Sequence, residues 1–136
     1  MPEVIMNGPE GRLEGRYNQS AETNSPIALL LHPHPQHGGT MNNKVVYQLY
    51  QCFQRKGFSV LRFNFRGVGR SEGQFGHGIG EIEDVIAVTQ SIRNQFSHQL
   101  TNIPLLLAGF SFGGAIQLHV AEKLAPEFLL LVAPSV

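Results

Sequence analysis

From Ile27 to its last residues the chain alternates strand-like and helix-like segments, and that alternation constrains the fold more than any other feature. Ile27-Ala28-Leu29-Leu30-Leu31 is a continuous apolar run, the pattern of a strand buried on both faces. Residues 43–56 then place Val45, Val46, Leu49, Tyr50 and Phe53 at helical spacing, and Gly57 ends that helix. Residues 58–65 read as a strand, 67–80 as a long Gly-rich loop, and Ile82, Val85, Ile86, Thr89 and Ile92 as one face of a helix starting at about Gly80 or Glu81. A buried strand at 105–108, a helix at 113–124 and a strand at Phe128–Val132 complete the series. Ahead of it, Val4 and Met6, then Leu13 and Tyr17, alternate around Asn7-Gly8-Pro9-Glu10-Gly11, which predicts an antiparallel hairpin followed by a polar loop over 18–25. The expected class is α/β: a mostly parallel sheet with an N-terminal antiparallel hairpin and helices on both faces.

Composition narrows the function classes. With 136 residues there is room for one domain, 1–136. Ten Lys and Arg balance ten Asp and Glu, so no electrostatic footprint for nucleic acid or an anionic membrane exists. Apolar residues at 42% supply a core, and 15% charged residues argue against disorder. One cysteine, Cys52, excludes an intramolecular disulfide framework and a four-Cys zinc site, and its place beside Phe53 reads as small-residue packing. No basic stretch precedes an apolar run at Met1-Pro2-Glu3-Val4, and no apolar run is long enough to span a bilayer. The expected location is cytoplasmic.

Gly109-Phe110-Ser111-Phe112-Gly113 fits G-x-S-x-G, and its setting matters more than the pattern. A buried strand ends just before it and a helix begins just after. A turn that tight forces its central residue into a strained conformation, and side chains at the flanking glycines would collide with the neighbouring strand and helix. It lifts the Ser111 hydroxyl above the carboxyl ends of the strands, at the positive end of a helix dipole. A serine hydroxyl needs a base to attack, and the oxyanion it creates needs donors. The bland reading is a helix cap made by Ser111.

The loop after Leu31 runs His32-Pro33-His34-Pro35-Gln36-His37-Gly38-Gly39. In a nucleophile-elbow hydrolase one oxyanion donor is the amide after the nucleophile, here Phe112, and the other lies in this loop. Pro33 and Pro35 carry no amide hydrogen, which leaves His34 best placed and Gln36 second. Three histidines in six residues also invite a metal reading. Against it, no carboxylate or cysteine lies nearby, and alternating prolines are expected to hold His32 and His34 extended rather than converging. A third segment, Phe65-Arg66-Gly67-Val68-Gly69-Arg70-Ser71-Glu72-Gly73, has a dinucleotide-loop rival. Its last gap is three residues instead of two and no helix opens at it, so it reads as a turn-rich loop over the rim of the site.

At these three places together, His32-Pro33-His34-Pro35 with Gly38-Gly39-Thr40-Met41-Asn42-Asn43, residues 63–71, and Gly109-Phe110-Ser111-Phe112-Gly113-Gly114, the chain resembles the α/β-hydrolase superfamily. It is most similar to the small bacterial serine hydrolases with a His-Pro-His-Pro segment before two glycines. The resemblance implies Ser111 as nucleophile, the amides of His34 and Phe112 as oxyanion hole, and cofactor-free hydrolysis of ester, amide or thioester bonds of a small substrate through an acyl-enzyme.

One departure stands out. The family orders its triad as Ser, then Asp or Glu, then His along the chain. The sole aspartate, Asp84, precedes Ser111, and only His119, Glu122 and Glu127 follow it among the candidate groups. His119 is carried roughly 12 Å along the helix from the elbow, and the two glutamates read as surface charges. The family continues with about two more strands bearing acid and base, which this chain is expected to lack. Three readings follow: a truncated hydrolase without its base, an enzyme borrowing a base from the His32–His37 loop with His37 foremost, or a non-catalytic binding module that keeps the pocket. Truncation predicts an uncovered apolar edge at Phe128–Val132, where a second copy or a complementary C-terminal fragment would pair. No large insertion separates the strands, which favours a shallow pocket and small acyl groups. Glu81 and Asp84 read as first-turn helix charges, Arg66 and Arg70 as solvated, and His77 as a loop residue without a role.

Overall fold

A computed structural model describes residues 3–22, 24–96 and 103–135. In chain order the elements are β1 (Glu3–Gly8), β2 (Gly11–Asn18), β3 (Ile27–Leu31), a short 3-10 turn (Pro35–His37), α1 (Lys44–Arg55), β4 (Ser59–Phe63), α2 (Ile79–Phe96), β5 (Leu105–Phe110), α3 (Phe112–Leu124) and β6 (Phe128–Val132). The strands form one sheet in the order β1-β2-β4-β3-β5-β6. The hairpin β1–β2 is antiparallel and joins β4 antiparallel, while β4, β3, β5 and β6 run parallel.

The two-residue period of the strands divides the core between the faces. Ile27, Leu29 and Leu31 of β3, with Leu61, Phe63, Leu105 and Leu107, pack under Val85, Val88 and Ile92 of α2 and Ile116 and Val120 of α3. Ala28, Leu30, Val60, Leu106 and Ala108 face the other way and meet Val46 and Tyr50 of α1. Continuous apolar runs are therefore what strands covered on both faces require.

This topology creates the site. After β3 the chain crosses by α1 to β4 on one side, and after β4 it returns by α2 to β5 on the other side of β3. The segments leaving β3 and β5 thus diverge to opposite faces, and the crevice between their carboxyl ends is where α/β sheets bind ligands. Leu31 pairs with Gly109, so the His-rich loop and the elbow leave neighbouring strands at the same level.

Three expectations need correction. The strand expected over 58–65 ends at Phe63, because Asn64 and Phe65 turn out of the ladder to bind other partners. Asn64 Oδ1 accepts from the Met41 amide at 2.8 Å, and the Phe65 amide donates to His32 Nε2 at 3.1 Å. Helix α2 begins at Ile79, which puts Asp84 in its second turn instead of its first. Cys52 is exposed, so it is not a packing residue. The expectation at β6 agrees with the structure: this edge strand leaves Phe128, Leu129 and Leu130 60%, 38% and 39% exposed. Among the described residues no helix is long and apolar enough to cross a membrane.

Candidate active site

Ser111 sits between β5 and α3 with φ 57° and ψ −115°. That combination lies outside the regions open to a residue with a Cβ and costs on the order of 1–3 kcal/mol. The surroundings impose it. The Ser111 amide donates to the Val132 carbonyl of β6 at 2.9 Å, and its carbonyl accepts from Ala115 at 3.1 Å and Ser135 at 3.2 Å. A Cβ on Gly109 would run into the Gly113 carbonyl, and one on Gly113 would lie 2.5 Å from the Leu31 carbonyl oxygen. The Ser111 side chain makes no capping hydrogen bond, which removes the reading of this serine as a helix cap.

The loop after β3 folds back on itself. His32 is fully buried and both its ring nitrogens are engaged: Nδ1–H donates to the Pro33 carbonyl at 2.7 Å, and Nε2 accepts the Phe65 amide. His34 accepts the Gln36 amide on Nδ1 at 3.1 Å, while its carbonyl accepts the amides of His37 and Gly39, both at 3.0 Å. The 3-10 turn brings the His34 and His37 rings into a stack 4.4 Å apart, while His32 and His34 turn to separate partners. Among the described residues no group of three His, Cys, Asp or Glu side chains could hold a metal. The Gln36 amide is committed to His34, which leaves the His34 amide as the donor candidate in this loop. The His34 ring lies 4.7 Å from that of Phe112, so the two candidate oxyanion residues meet across the β3–β5 crevice.

Burial pushes the His32 imidazole down to about 4, against a smaller upward pull from its bond to Pro33. Burial, and then the neighbouring His37, also lower His34. The His32 shift carries a stability prediction. The unfolded chain binds a proton near 6.5 that the folded chain refuses until about 4, so this contribution is complete above 6.5 and lost as the pH falls through that window. Unfolding free energy should fall with a slope of up to about 1.4 kcal/mol per pH unit there. Urea melts across that range should show this slope in the wild type and not in His32→Gln. Equal slopes would remove His32 as the cause.

Just beyond the segment expected to cover the rim, the Gly-rich loop reaches it through Phe75, whose ring contacts His34 at 5.1 Å and Phe112 at 6.2 Å. Arg66, expected to be solvated, is not. Arg66 is buried and donates from Nε and Nη2 to the buried Asp84 carboxylate, 2.8 Å at the shortest, and its Nη1 pairs with Glu10 at 3.2 Å. Desolvation raises the Asp84 carboxyl against the lowering effect of these bonds, and the same bonds raise Arg66. Arg70 is exposed, as expected, and pairs with Glu3 at 3.6 Å. Glu81 is also fully buried, with its two oxygens accepting the amides of Gly76 and Gly78, each at 2.8 Å. A glutamate three residues after Gly78, at the third position of a helix, is half of a capping box, a signal present in the sequence.

The other polar candidates lie elsewhere. His119 and Glu122 are exposed on α3, and Glu127 accepts the Leu105 amide at 2.7 Å. His37 is exposed. Among the described residues no hydrogen bond reaches the Ser111 hydroxyl.

Residues 34–136 match the family model described as serine aminopeptidase, S33. An uncharacterized protein of Rickettsia prowazekii is 46% identical over 136 residues, covering 98% of this chain and 56% of its own length. A structure from Agrobacterium tumefaciens, described as a putative α/β hydrolase of unknown function, superposes with a TM-score of 0.91 at 48% identity, over 98% of this chain and 60% of its own. An α/β serine hydrolase homologue from Coxiella burnetii gives 0.90 at 40% identity, over 98% and 62%. The chain thus spans about three-fifths of the length of these relatives. With the sheet order, the elbow and these matches in agreement, the chain belongs to the serine aminopeptidase S33 family of α/β hydrolases.

Proposed function

We propose that this chain carries the nucleophile and oxyanion hole of a serine hydrolase that cleaves ester or amide bonds of a small substrate through an acyl-enzyme on Ser111. The observation that carries the reading is a strained, uncapped Ser111 beside the His34–Phe112 juxtaposition. In the reaction Ser111 Oγ bonds to the substrate carbonyl carbon and the C=O electron pair moves to oxygen. That oxyanion accepts hydrogen bonds from the amides of Phe112 and His34. Phe112 opens α3, so its N–H has no partner within the helix and points along the positive end of the dipole. Preorganised donors of this kind stabilise the charge without reorganising at the moment of reaction. The tetrahedral intermediate then collapses, expelling the alcohol or amine, and water hydrolyses the ester left on Ser111.

The Ser111 proton needs an acceptor, and we assign the base and its acid to a segment outside this chain, since His32 spends both ring nitrogens on the backbone of Pro33 and Phe65, His34 spends Nδ1 on the Gln36 amide, and His37 is stacked on His34. The exposed β6 edge is where a complementary segment or a second copy would add its strand. Light scattering at rising concentration reads self-association there directly. A binding module that merely kept the pocket would gain nothing from the strain at Ser111.

Intact-mass analysis after a fluorophosphonate tests the nucleophile, with circular dichroism confirming the fold. One adduct is expected, mapped to Ser111, absent in Ser111→Ala, and accelerated about 10- to 100-fold by added imidazole standing in for the base. An adduct that survives Ser111→Ala would overturn the assignment. Rapid labelling that imidazole does not change would place a base within this chain.

A further inference from the structure

We propose that Phe75, held by the Glu81 carboxylate, determines which acyl group the site accepts: with His34 and Phe112 it forms an aromatic wall for an apolar acyl group about one ring wide. This rests on the reading of Ser111 as the nucleophile and goes beyond it by naming the acyl class.

The segment 75–80 is built at some cost. His77 stands at φ 56° and Gly78 at φ 90°, both left-handed. A Cβ on Gly76 would lie 2.7 Å from the Gly80 Cα, and one on Gly80 would lie 2.7 Å from the Arg66 guanidinium carbon. Two amides of this turn point inward, where only the Glu81 oxygens receive them. A buried carboxylate accepting two backbone amides is a fixed anchor, since releasing it strands both donors and a charge away from water. The product of that anchoring is one placed side chain. Phe75 is only half-buried, lies against His34 and Phe112, and is backed edge-on by the His77 ring at 5.0 Å. Phe65 closes the cluster from below, edge-on to Phe112 at 5.8 Å.

Because Phe112 follows Ser111 directly, a group esterified to Ser111 lies beside these rings. Their tilted planes offer both edges and faces, the surfaces that another aromatic or a branched apolar chain packs against. Burial and the neighbouring His37 lower the His34 imidazole, which disfavours the charged ring that would penalise an apolar guest.

Boronic acids test this without a general base. A serine oxygen adds to boron, the hydroxyl proton leaves to buffer, and boron becomes a tetrahedral anion that the oxyanion donors can bind. Binding of phenylethylboronic acid and methylboronic acid is followed by boron NMR and by the Phe112 amide. The wild type should prefer the phenylethyl probe by about tenfold or more. Phe75→Ala, a half-buried rim change that spares the core, should reduce this preference to about twofold, chiefly by weakening the phenylethyl probe. Glu81→Gln should reduce it in the same direction; equal loss of both probes would make Glu81 structural only and overturn its positioning role. A preference that is absent, or that survives Phe75→Ala while tetrahedral boron still forms on Ser111, overturns the aromatic wall and leaves the nucleophile intact. No tetrahedral boron with either probe, or boron unaffected by Ser111→Ala, overturns the nucleophile reading and the wall with it.

Discussion

Asp84→Ala should remove about 3–5 kcal/mol of unfolding free energy, because it leaves the buried Arg66 guanidinium without its main partner. Asp84 receives Arg66 Nε on both oxygens at 3.2 and 3.1 Å, Nη2 at 2.8 Å and the Arg66 backbone amide at 3.1 Å. The two side chains are 5% and 1% exposed, so water cannot replace what is lost. Glu10 remains on Nη1, but it is half-exposed and reaches one nitrogen only. Domains of this size hold about 5–15 kcal/mol in total, so the variant should sit near the edge of folding. Glu3→Gln is the matched comparison. It breaks pairs with Arg16 at 3.4 Å and with Arg70 at 3.6 Å, all between side chains over a third exposed, and should change stability by less than about 1 kcal/mol. Urea denaturation followed by circular dichroism measures both. Similar losses in the two variants would mean that the buried pair contributes no more than a surface one.

The same pair marks where reading the sequence stops. Period and run length are local properties, so Ile27–Leu31 and Phe128–Val132 could be delimited from their residues alone, and the alternation of runs led to a parallel sheet. The elbow was legible because Gly109, Ser111 and Gly113 are close in the chain and bear on one turn. Arg66 and Asp84 are 18 residues apart, and nothing in their neighbours says that α2 will fold back over the loop after β4. Their burial follows from that packing, so composition pointed to solvent instead. Phe75 was missed for a similar reason: a lone aromatic among glycines acquires a role only once His34 and Phe112 arrive from two other strand ends. The stack of His37 on His34 was not legible either, since it depends on the 3-10 turn that Pro35 opens.

Gly113→Ala should cost a net of about 2–3 kcal/mol, although alanine is the better helix former by about 1 kcal/mol. The added methyl would stand 2.5 Å from the Leu31 carbonyl oxygen and 2.7 Å from that of His32, both backbone atoms at the end of the central strand. Neither can yield, since Leu31 is registered against Gly109. Helix α3 cannot retreat easily either: Gln117 Nε2, fully buried, donates to the carbonyls of Leu29 and Ala108, both at 3.1 Å. Relief would have to come from the turn between them, which carries Ser111, so fluorophosphonate labelling should fall together with stability. Gly114→Ala provides the contrast one residue on. There the methyl meets the Gly109 carbonyl at 3.1 Å and Pro134 at 3.3 Å, contacts that ease with shifts of a few tenths of an ångström. Its stability should stay within about 1 kcal/mol of the wild type, with the helix gain offsetting the crowding. Thermal and urea melts of the pair decide the point. Equal stabilities would mean that the close approach of α3 to the end of β3 does not hold the elbow, and that the conformation of Ser111 has another origin.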